Sequence, residues 1–491
     1  MLTLFLIFFP LLASLVLLLL RPQNAKMWAL SASLIELIVS LVVVFLFDKS
    51  DVTSQFSFNT PWIASMGLNL SVGIDGISLL LVLLTTVLVP FIIFSSFSNT
   101  YDKPATFYGL ILMMQMALVG VFVALDGLLF YLFWEMALIP IYFICLIWGG
   151  ESRGRITFKF FVYTLAGSLF MLVALVYLYF QTPGSHSFDI QALYEAGRAL
   201  PLIEQSWIFW AMFVAFAIKM PVFPFHTWQP DTYTVAPTQG TMLLSGIMLK
   251  MGIYGLIRWL VPLVPGGVQE WGYTAIILSV IGIIYASCIA IIQKDMKRLI
   301  AYSSIAHVGL ISAGLLTLNP IGMQGAMIQM ISHGIIVFAL FYIVDIIFQR
   351  TKTHTLSELG GIKNVAPLLA TVFTVVMLGS VALPLTSGFV GEFLLLNSLF
   401  QYQAIVGAVA GLTIILGAIY MLRTFQKSMS GETNGITKSF VDLTDHEKRV
   451  LYPIVVIIVL IGVYPDPILS ISESAVNNLL TIFSDSTASL K

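Results

Sequence analysis

Stretches of mostly apolar residues, each long enough to cross a lipid bilayer as a helix, recur along this whole chain of 491 residues. A helix needs about 20 such residues to span the hydrocarbon core. Because a helix satisfies its own backbone hydrogen bonds in lipid, the runs predict an all-α polytopic membrane protein with about fourteen transmembrane helices. The predicted spans are 2–20, 27–47, 74–97, 106–125, 126–148, 157–180, 206–229, 238–262, 270–292, 299–318, 322–348, 366–400, 404–427 and 449–468.

The composition agrees with this class and argues against others. Only 10% of the residues are charged and 59% are hydrophobic, whereas a soluble protein carries about 25% charged residues. The net charge of −1 argues against a nucleic-acid-binding protein. Cys145 and Cys288 lie apart within apolar segments, so neither a zinc site nor a cysteine-held iron–sulfur cluster is expected. Nucleotide-binding glycine motifs are absent from the sequence as well, so no cofactor is predicted for this chain.

The distribution of lysine and arginine predicts the orientation of the chain in the membrane. Of the 23 such residues, 17 fall in one set of alternating loops and two lie within spans; the other set holds only Lys49, Arg198, Arg258 and Lys491. Such a bias follows the positive-inside rule, under which cation-rich loops face the cytoplasm. The membrane face with these four residues, called the cation-poor face below, is therefore predicted to lie outside the cytoplasm, together with both termini.

Two matched pairs of residues indicate an internal repeat. Pro221 and Pro384 each interrupt an apolar span and are 163 positions apart, while Tyr254 and Tyr420, in the spans that follow, are 166 apart. Nearly equal offsets predict two repeats of five spans, and because five is odd, the second repeat is inverted, as in many transporters. The predicted segments of the single membrane domain, 1–491, are three N-terminal helices, two repeats, and a last helix with a tail: 1–97, 106–262, 270–427 and 449–491.

Prolines within the spans predict that two of the helices are broken. A proline inside a helix frees backbone carbonyls, and at membrane depth these are tolerated only where protein or water lines them. Pro221 and Pro224 mark the first break and Pro384 marks the second.

Outside the spans, the segment 188–200 has apolar residues at helical spacing with charges between them. It is predicted to be a helix. Two interpretations stay open: it lies flat on the outer surface or against a partner, or it is a local helix within a loop.

Ionisable side chains fall near the middle of several predicted spans, where each charge costs about 2.5–3.5 kcal/mol to insert. Such residues pair, line water or serve a function. Counting along the spans places five near the midplane and one nearer the outside, which predicts a row of titratable groups that carries protons laterally to an exit. A glutamate–lysine ion pair in this row is predicted to act as a switch. The predicted proton-transfer residues are Glu135, Lys219, Lys250, His307, His333 and, at the exit, Glu392.

Structural roles are the alternative for each of these groups. Glu135 and Lys219 form a static buried ion pair in that interpretation, and Lys250 tethers two helices. His307 and His333 make interhelical hydrogen bonds, or clamp a haem iron between them.

Other polar residues in apolar surroundings are predicted to have structural roles. Glu36 lacks an obvious partner and is predicted to be a packing acid against another helix or subunit. Five residues near span ends are expected to cap helices or make interfacial contacts: His226, Asp75, Asp126, Asp231 and Asp345.

Four stretches of the chain resemble the antiporter-like subunits of respiratory complex I, the NADH:quinone oxidoreductase. They are LLFYLFWEMALIPIYF (128–143), FAIKMPVFPFHTWQPDTYTVAPTQGTMLLSGIMLKMGIYGLIR (216–258), KRLIAYSSIAHVGLI (297–311) and ALPLTSGFVGEF (382–393). The resemblance covers essentially the whole chain, and the second stretch is highly specific. It implies a proton-pumping subunit with fourteen helices and two inverted five-helix repeats, each with one broken helix.

The resemblance also implies a role for each residue of the predicted row. A glutamate–lysine pair belongs to the first half-channel, a central lysine follows it, histidines form the connecting polar axis, and the second broken helix carries the terminal residue. In this sequence those residues are Glu135 with Lys219, then Lys250, then His307 and His333, and finally Glu392.

The residue at position 392 also discriminates within the family. Glutamate is typical of the M-type subunits there, whereas L- and N-type subunits and cation/proton antiporter subunits usually carry lysine. The resemblance further implies a bacterial inner membrane protein without a redox centre of its own. NAD, FMN, iron–sulfur clusters and quinone are expected in partner subunits, and the L- and N-type subunits are expected as neighbours. Two other functions stay open: a subunit of a multi-subunit Na⁺/H⁺ antiporter, and a passive or haem-bearing membrane scaffold.

Overall fold

The computed structural model of the chain describes residues 1–488, most of which are helical. Lys491, one of the four residues that define the cation-poor face, lies outside the described residues, as does the end of the predicted segment 449–491. Three helices and a β-hairpin form the N-terminal part. They are α1 (Leu2–Leu20), α2 (Ala25–Leu46), β1 (Gln55–Ile63), β2 (Leu68–Ile74) and α3 (Gly76–Ser95).

The region predicted as the first repeat contains a span that is broken in its middle. Its helix α9 ends at Lys219, and the chain becomes helical again at Gln229. Two π-helical turns, Leu244–Met248 and Leu256–Leu260, join α11, α12 and α13 into one continuous span. The helices are α4 (Pro104–Val123), α5 (Gly127–Met136), α6 (Leu138–Trp148), α7 (Arg153–Gln181), α8 (Ile190–Ala199), α9 (Leu202–Lys219), α10 (Gln229–Val235), α11 (Thr238–Leu243), α12 (Lys250–Gly255) and α13 (Val261–Leu263).

The remainder of the chain contains the second broken span. Helix α18 ends at Ser380 and α19 begins at Ser387, with Pro384 between them. The helices of this part are α14 (Pro265–Ile292), α15 (Met296–Leu315), α16 (Pro320–Thr351), α17 (Ile362–Val365), α18 (Pro367–Ser380), α19 (Ser387–Tyr402), α20 (Ala404–Met429), α21 (Asp445–Val463) and α22 (Asp466–Ala488).

The predicted class, a polytopic helical membrane protein with broken helices, is confirmed. Within residues 1–488, 12 helices are long and apolar enough to cross a membrane, or up to 13 if the bent pair α21 and α22 counts as one span. The predicted span 366–400 appears as α18 and α19, each shorter than a full crossing. The count of fourteen and the inverted repeats stay predictions.

The spans differ in how completely the chain encloses them. In the span formed by α11 to α13, every residue of the most apolar window is buried, and in α16 94% are. In α1 and α2 only 39% and 33% are buried, so these helices turn apolar side chains outward. The enclosed helices form the centre of the protein, and they carry Lys250 and His333.

A β-hairpin at the cation-poor face was not among the sequence predictions. Strands β1 and β2 pair antiparallel, with Phe58 opposite Val72. The turn between them contains Gly67 at φ +62°, where a Cβ would lie 2.3 Å from the carbonyl oxygen of His186. The hairpin is too short and too polar to register as a span, which is why a search for apolar runs overlooks it.

The C-terminal tail also differs from the prediction. The segment predicted as a tail after the last helix forms the helix α22, which bends by 63° from α21. Its apolar face, with Ile471, Ala475, Val476 and Leu479, is buried against the rest of the chain. Because the residues on the other face are polar, a search for apolar runs does not predict this helix.

The segment 188–200 forms the helix α8, as its spacing predicts. Ile190, Leu193 and Tyr194 are buried on one face. The Tyr194 hydroxyl donates a hydrogen bond to the backbone oxygen of Arg258, at 2.5 Å. Of the two interpretations, these contacts within the chain favour a local loop helix that covers the end of a span.

Candidate functional site

Lys250 occupies the centre of the protein, at the start of α12. It follows the π-helical turn Leu244–Met248, and such turns are frequent at functional sites. Its side chain is fully buried. The ammonium Nζ donates a hydrogen bond to the backbone oxygen of Ser245 at 2.7 Å and lies 3.0 Å from Nδ1 of His333 in α16.

His333 continues the polar contacts from Lys250 toward α15. Its Nε2 lies 3.1 Å from the hydroxyl of Ser304, and its ring centre is 6.0 Å from that of His307. Because both ring nitrogens of His333 already have polar partners, haem ligation would require breaking one of these contacts. Within residues 1–488, no group of three or more His, Cys, Asp and Glu side chains is arranged to hold a metal ion.

Glu392 lies at the other end of these contacts, in the helix that follows the second break. Its Oε1 is 2.8 Å from Nδ1 of His307 and accepts a hydrogen bond from Nε2 of Gln329 at 3.3 Å. The neighbouring Gly391 permits this approach, because a Cβ there would lie 2.3 Å from the side-chain oxygen of Gln329. Glu392 is buried, and its carboxylate thus faces α15 and α16 together.

Ser387, the first helical residue after the second break, contacts the helix that carries His333. Ala382 and Leu385 have φ angles of 56° and 74°, so the chain turns sharply on both sides of Pro384. The hydroxyls of Ser387 and Ser332 then meet at 2.8 Å. Since Ser332 precedes His333, the break borders the buried polar contacts.

Lys219 is the last residue of α9, directly before the first break. Its side chain is buried, and its Nζ lies 5.2 Å from the ring centre of Trp134. The indole of Trp228 donates a hydrogen bond to the backbone oxygen of Ile218 at 2.8 Å, which satisfies a carbonyl near the break. Pro221 and Pro224 follow within the non-helical segment.

The predicted ion pair between Glu135 and Lys219 is not formed in this structure. None of the ion pairs within residues 1–488 joins the two groups within 4.0 Å. Oε1 of Glu135 is buried without a hydrogen-bond partner, so the carboxylate keeps an unused acceptor. Glu135 lies on α5 directly after Trp134, whereas Lys219 lies on α9 and faces the Trp134 ring.

Backbone contacts bring the first break close to the helix that carries Lys250. A Cβ at Gly252 would lie 2.7 Å from the backbone oxygen of Phe216 and 2.9 Å from the backbone nitrogen of Met220. Gly252 is two residues after Lys250, and Met220 is the residue after Lys219. The structure therefore joins Lys250 to His333 and His307 to Glu392 by side-chain contacts, with the two histidine ring centres 6.0 Å apart, and the first break packs against the helix that carries Lys250.

Residues predicted to cap helices divide into two groups. Asp75 and Asp126 accept hydrogen bonds from backbone N–H groups at the starts of α3 and α5, as predicted. Asp231 makes ion pairs with Arg298 at 2.8 Å and with Lys159 at 3.3 Å.

The other polar residues near span ends, and one within a span, are buried but do not cap any of the helices in residues 1–488. Asp345 accepts hydrogen bonds from Thr238 at 2.5 Å and from Gln349 at 2.6 Å. His226 is buried beside Tyr285, with ring centres 5.1 Å apart. Glu36 is fully buried in α2 with both carboxylate oxygens unpartnered, which places it against other helices of this chain.

Three polar residues that contact the buried row escaped the sequence reasoning. Ser304 and Gln329 contact His333 and Glu392 through their side chains, whereas Ser245 accepts from Lys250 through its backbone oxygen. The signal of Ser304 and Gln329 in the sequence is a polar side chain inside an apolar run, which is weaker than that of a charge because serine is common in membrane helices.

Comparison with known proteins assigns this chain to one family. The family model described as "NADH:quinone oxidoreductase/Mrp antiporter, TM" matches residues 124–417, which contain all six predicted proton-transfer residues. NADH-quinone oxidoreductase subunit M of Rickettsia prowazekii is 42% identical over 484 residues, which are 97% of this chain and 98% of that protein.

Solved structures share the fold of this chain along nearly its whole length. A chain of respiratory complex I from Thermus thermophilus with bound NADH has 29% sequence identity and a TM-score of 0.89, with 98% of this chain and 100% of that chain covered. A chain of the Mrp complex from Dietzia sp. has 18% identity and a TM-score of 0.84, covering 99% of this chain and 55% of that one. At that identity, the second likeness shows a common fold alone.

Proposed function

We propose that this chain, which belongs to the NADH:quinone oxidoreductase/Mrp antiporter transmembrane family, moves protons through its buried row of Lys, His and Glu as subunit M of a bacterial NADH:quinone oxidoreductase. Relatives named subunit M align with it over nearly their full length. Glu392 supports the same assignment over an Mrp-type antiporter, to which the likeness is one of fold.

The observation that carries the proposal is the run of contacts from Lys250 to Glu392. A charged Lys250 donates to Nδ1 of His333, so the neutral imidazole keeps its proton on Nε2, facing Ser304. Transfer of a proton from Lys250 to Nδ1 then allows Nε2 to release one through the Ser304 hydroxyl. One water between the rings bridges the way to His307, whose Nδ1 faces Glu392.

Glu135 and Lys219 act on this run through their charges in the proposed mechanism. Lys219 has Trp134 as its neighbour while Glu135 is unpaired, and formation of the Glu135–Lys219 ion pair stabilises the charged lysine. A charge on Lys219 repels a charge on Lys250 in this proposal, because the first break packs against the helix of Lys250 and like charges interact strongly in a poorly screened interior. While Lys219 keeps its proton, breaking the pair removes the carboxylate that offsets its charge, and this favours release of the proton from Lys250 toward His333.

The driving energy comes from partner subunits in this proposal. NADH oxidation, with NAD, FMN, iron–sulfur clusters and quinone, takes place there, and the L- and N-type subunits are the proposed neighbours in the membrane. The cation-rich loops face the cytoplasm and both termini lie on the opposite side. Co-purification with NADH-oxidising subunits supports this function, whereas their absence from a stable complex favours the Na⁺/H⁺ antiporter.

The Lys250→Met variant tests the proposal in the assembled complex. Methionine fills a similar volume without a charge, so the buried site tolerates it while proton transfer through Nζ is lost. Protons pumped per NADH oxidised are measured in membrane vesicles, and oxidation of NADH with an artificial electron acceptor reports assembly. The control is Lys427→Met, an exposed lysine in α20. Unchanged pumping by an assembled Lys250→Met complex contradicts the proposal.

A further inference from the structure

A cavity of about 340 Å³ opens at the cation-poor face, between the β-hairpin, α8 and α22. Arg258 lies on its inner wall, eight residues after Lys250 in the same span. Eight residues correspond to about 12 Å of helix, so the cavity ends roughly two turns from the central lysine. Residues along its wall include Thr53, Asp75, Asp189, Tyr194, Arg258 and Asn478.

Three side chains close the space between the cavity and Lys250. The Nη2 of Arg258 forms an ion pair with the Asp75 carboxylate, and its Nε donates a hydrogen bond to the Tyr254 hydroxyl at 3.2 Å. That hydroxyl donates in turn to the backbone oxygen of Phe122 at 2.8 Å. Arg258 thus stands between the carboxylate at the cavity and the tyrosine on the side of Lys250.

The direction of these hydrogen bonds prevents them from carrying a proton. Tyr254 gives its only proton to a backbone carbonyl, which has no proton to pass on. Its oxygen accepts from Arg258, whose guanidinium stays protonated in proteins. Oδ1 of Asp75 accepts from the backbone N–H groups of Ile77 and Ser78, so the carboxylate is engaged as well.

Aromatic packing fills the space around Tyr254. Its ring centre lies 5.4 Å from that of Phe122 and 6.4 Å from that of Phe130, and Phe130 in turn lies 4.9 Å from Trp259. All four side chains are buried. Such packing excludes the water that a proton would otherwise follow past the arginine.

We propose that Arg258, held between Asp75 and Tyr254, is a selectivity barrier that stops protons from passing between Lys250 and the cavity at the cation-poor face. Fixed positive charge in a narrow passage excludes protons and cations from several membrane channels. With this side closed, a proton on Lys250 leaves only toward His333. The inference rests on the proposed function, because it assumes that Lys250 carries a transferable proton.

The test measures passive proton permeability, which a purely structural role of Arg258 does not change in an assembled complex. Purified complex is reconstituted in liposomes, a pH gradient is imposed without NADH, and its decay is followed with a trapped pH-sensitive dye. For Arg258→Gln we expect decay on the order of tenfold faster per assembled complex, which corresponds to about 1.4 kcal/mol of barrier. Arg258→Lys keeps the positive charge, so liposomes with this variant are expected to hold the pH gradient.

Arg198→Gln is the matched control, because Arg198 also lies at the cation-poor face and its Nε donates to the backbone oxygen of Pro262 at 3.1 Å. It is expected to leave the liposomes tight. An assembled Arg258→Gln complex that holds the gradient as well as the unsubstituted complex overturns the proposal. If that variant does not assemble, Arg258→Met, which keeps the length of the side chain without its charge, takes its place, and a tight Arg258→Met complex is then the overturning result.

A double variant separates this inference from the proposed function. In Lys250→Met/Arg258→Gln, the leak is expected to disappear, because its inner end has lost the group that carries the proton. A leak that persists shows a route that bypasses Lys250 and overturns the barrier proposal. The proposed function is tested separately: normal NADH-driven pumping by the single variant Lys250→Met contradicts that function, whatever the leak measurements show.

Discussion

The two broken helices of this protein hold their ionisable residues in different ways. At the first break, Lys219 lies 5.2 Å from the ring centre of Trp134, and Oε1 of Glu135 has no hydrogen-bond partner. At the second, Glu392 lies 2.8 Å from His307 and 3.3 Å from Gln329. The first site thus holds a cation by an aromatic face, whereas the second holds a carboxylate by polar side chains.

The difference indicates how the two halves divide their work in the proposed mechanism. A cation–π contact contributes about 0.5–2 kcal/mol. At low dielectric, the attraction between the lysine and an approaching carboxylate is readily larger than this. The first half is therefore free to change partners. In the second half, Glu392 already lies beside His307, and His333 already lies beside Lys250, so this half suits onward transfer. Three substitutions test this contrast, in order of decreasing expected effect.

Lys219→Ala removes the cation of the first break and is expected to have the largest effect. Loss of a positioned acid–base group slows proton transfer on the order of 100-fold or more, so pumping per NADH should collapse. Removal of a buried charge is tolerated by the fold, and NADH oxidation with an artificial acceptor should persist. Proton uptake by energised vesicles measures the outcome, with the exposed Lys363→Ala as control. Normal pumping in the Lys219→Ala complex would remove the first half from the mechanism.

Glu392→Gln leaves the size of the side chain and its acceptor oxygen for Gln329 unchanged, but it removes the transferable proton. We expect roughly tenfold slower pumping, a smaller loss than for Lys219, because His307 remains as an acid–base group beside it. The same vesicle assay measures the loss, and exposed Glu432→Gln is the matched control. A loss equal to that of Lys219→Ala would erase the proposed contrast between the halves.

Trp134→Phe retains an aromatic face beside Lys219 while weakening the cation–π contact, since indole binds cations best. The change is worth about 1 kcal/mol or less, so the pumping rate should alter by about fivefold at most. Trp62→Phe, in the exposed hairpin, is the control. A loss as large as that of Lys219→Ala would show that Trp134 does more than neighbour the lysine.

The breaks themselves are readable in the sequence, because proline has a local effect on the backbone. Pro221 with Pro224, and Pro384, fall where helices α9 and α18 have ended. The contacts between the ionisable residues are not readable in this way. Lys250 and His333 are 83 positions apart, and whether they meet depends on how α12 and α16 pack and rotate against each other.

The same distinction explains what the sequence reasoning left out. Apolar length identifies spans, so it overlooked the short hairpin β1–β2 and the half-polar helix α22. The sequence places Arg258 only at a membrane face, whereas its partner Asp75 comes from the start of α3. A pairing of this kind joins residues 183 positions apart, beyond the reach of any local pattern.

By itself, the sequence determined the membrane-spanning helical class, the places of both breaks, and which residues are expensive to bury. These follow from backbone hydrogen bonding in lipid and from the cost of charge, which act on each segment separately. Only the tertiary structure decided that Lys250 contacts His333 and His307 contacts Glu392, that Glu135 and Lys219 form no ion pair, and that Arg258 stands before the cavity at the cation-poor face. Those relations depend on the packing of distant helices, where shifts of a few ångströms make or break a hydrogen bond.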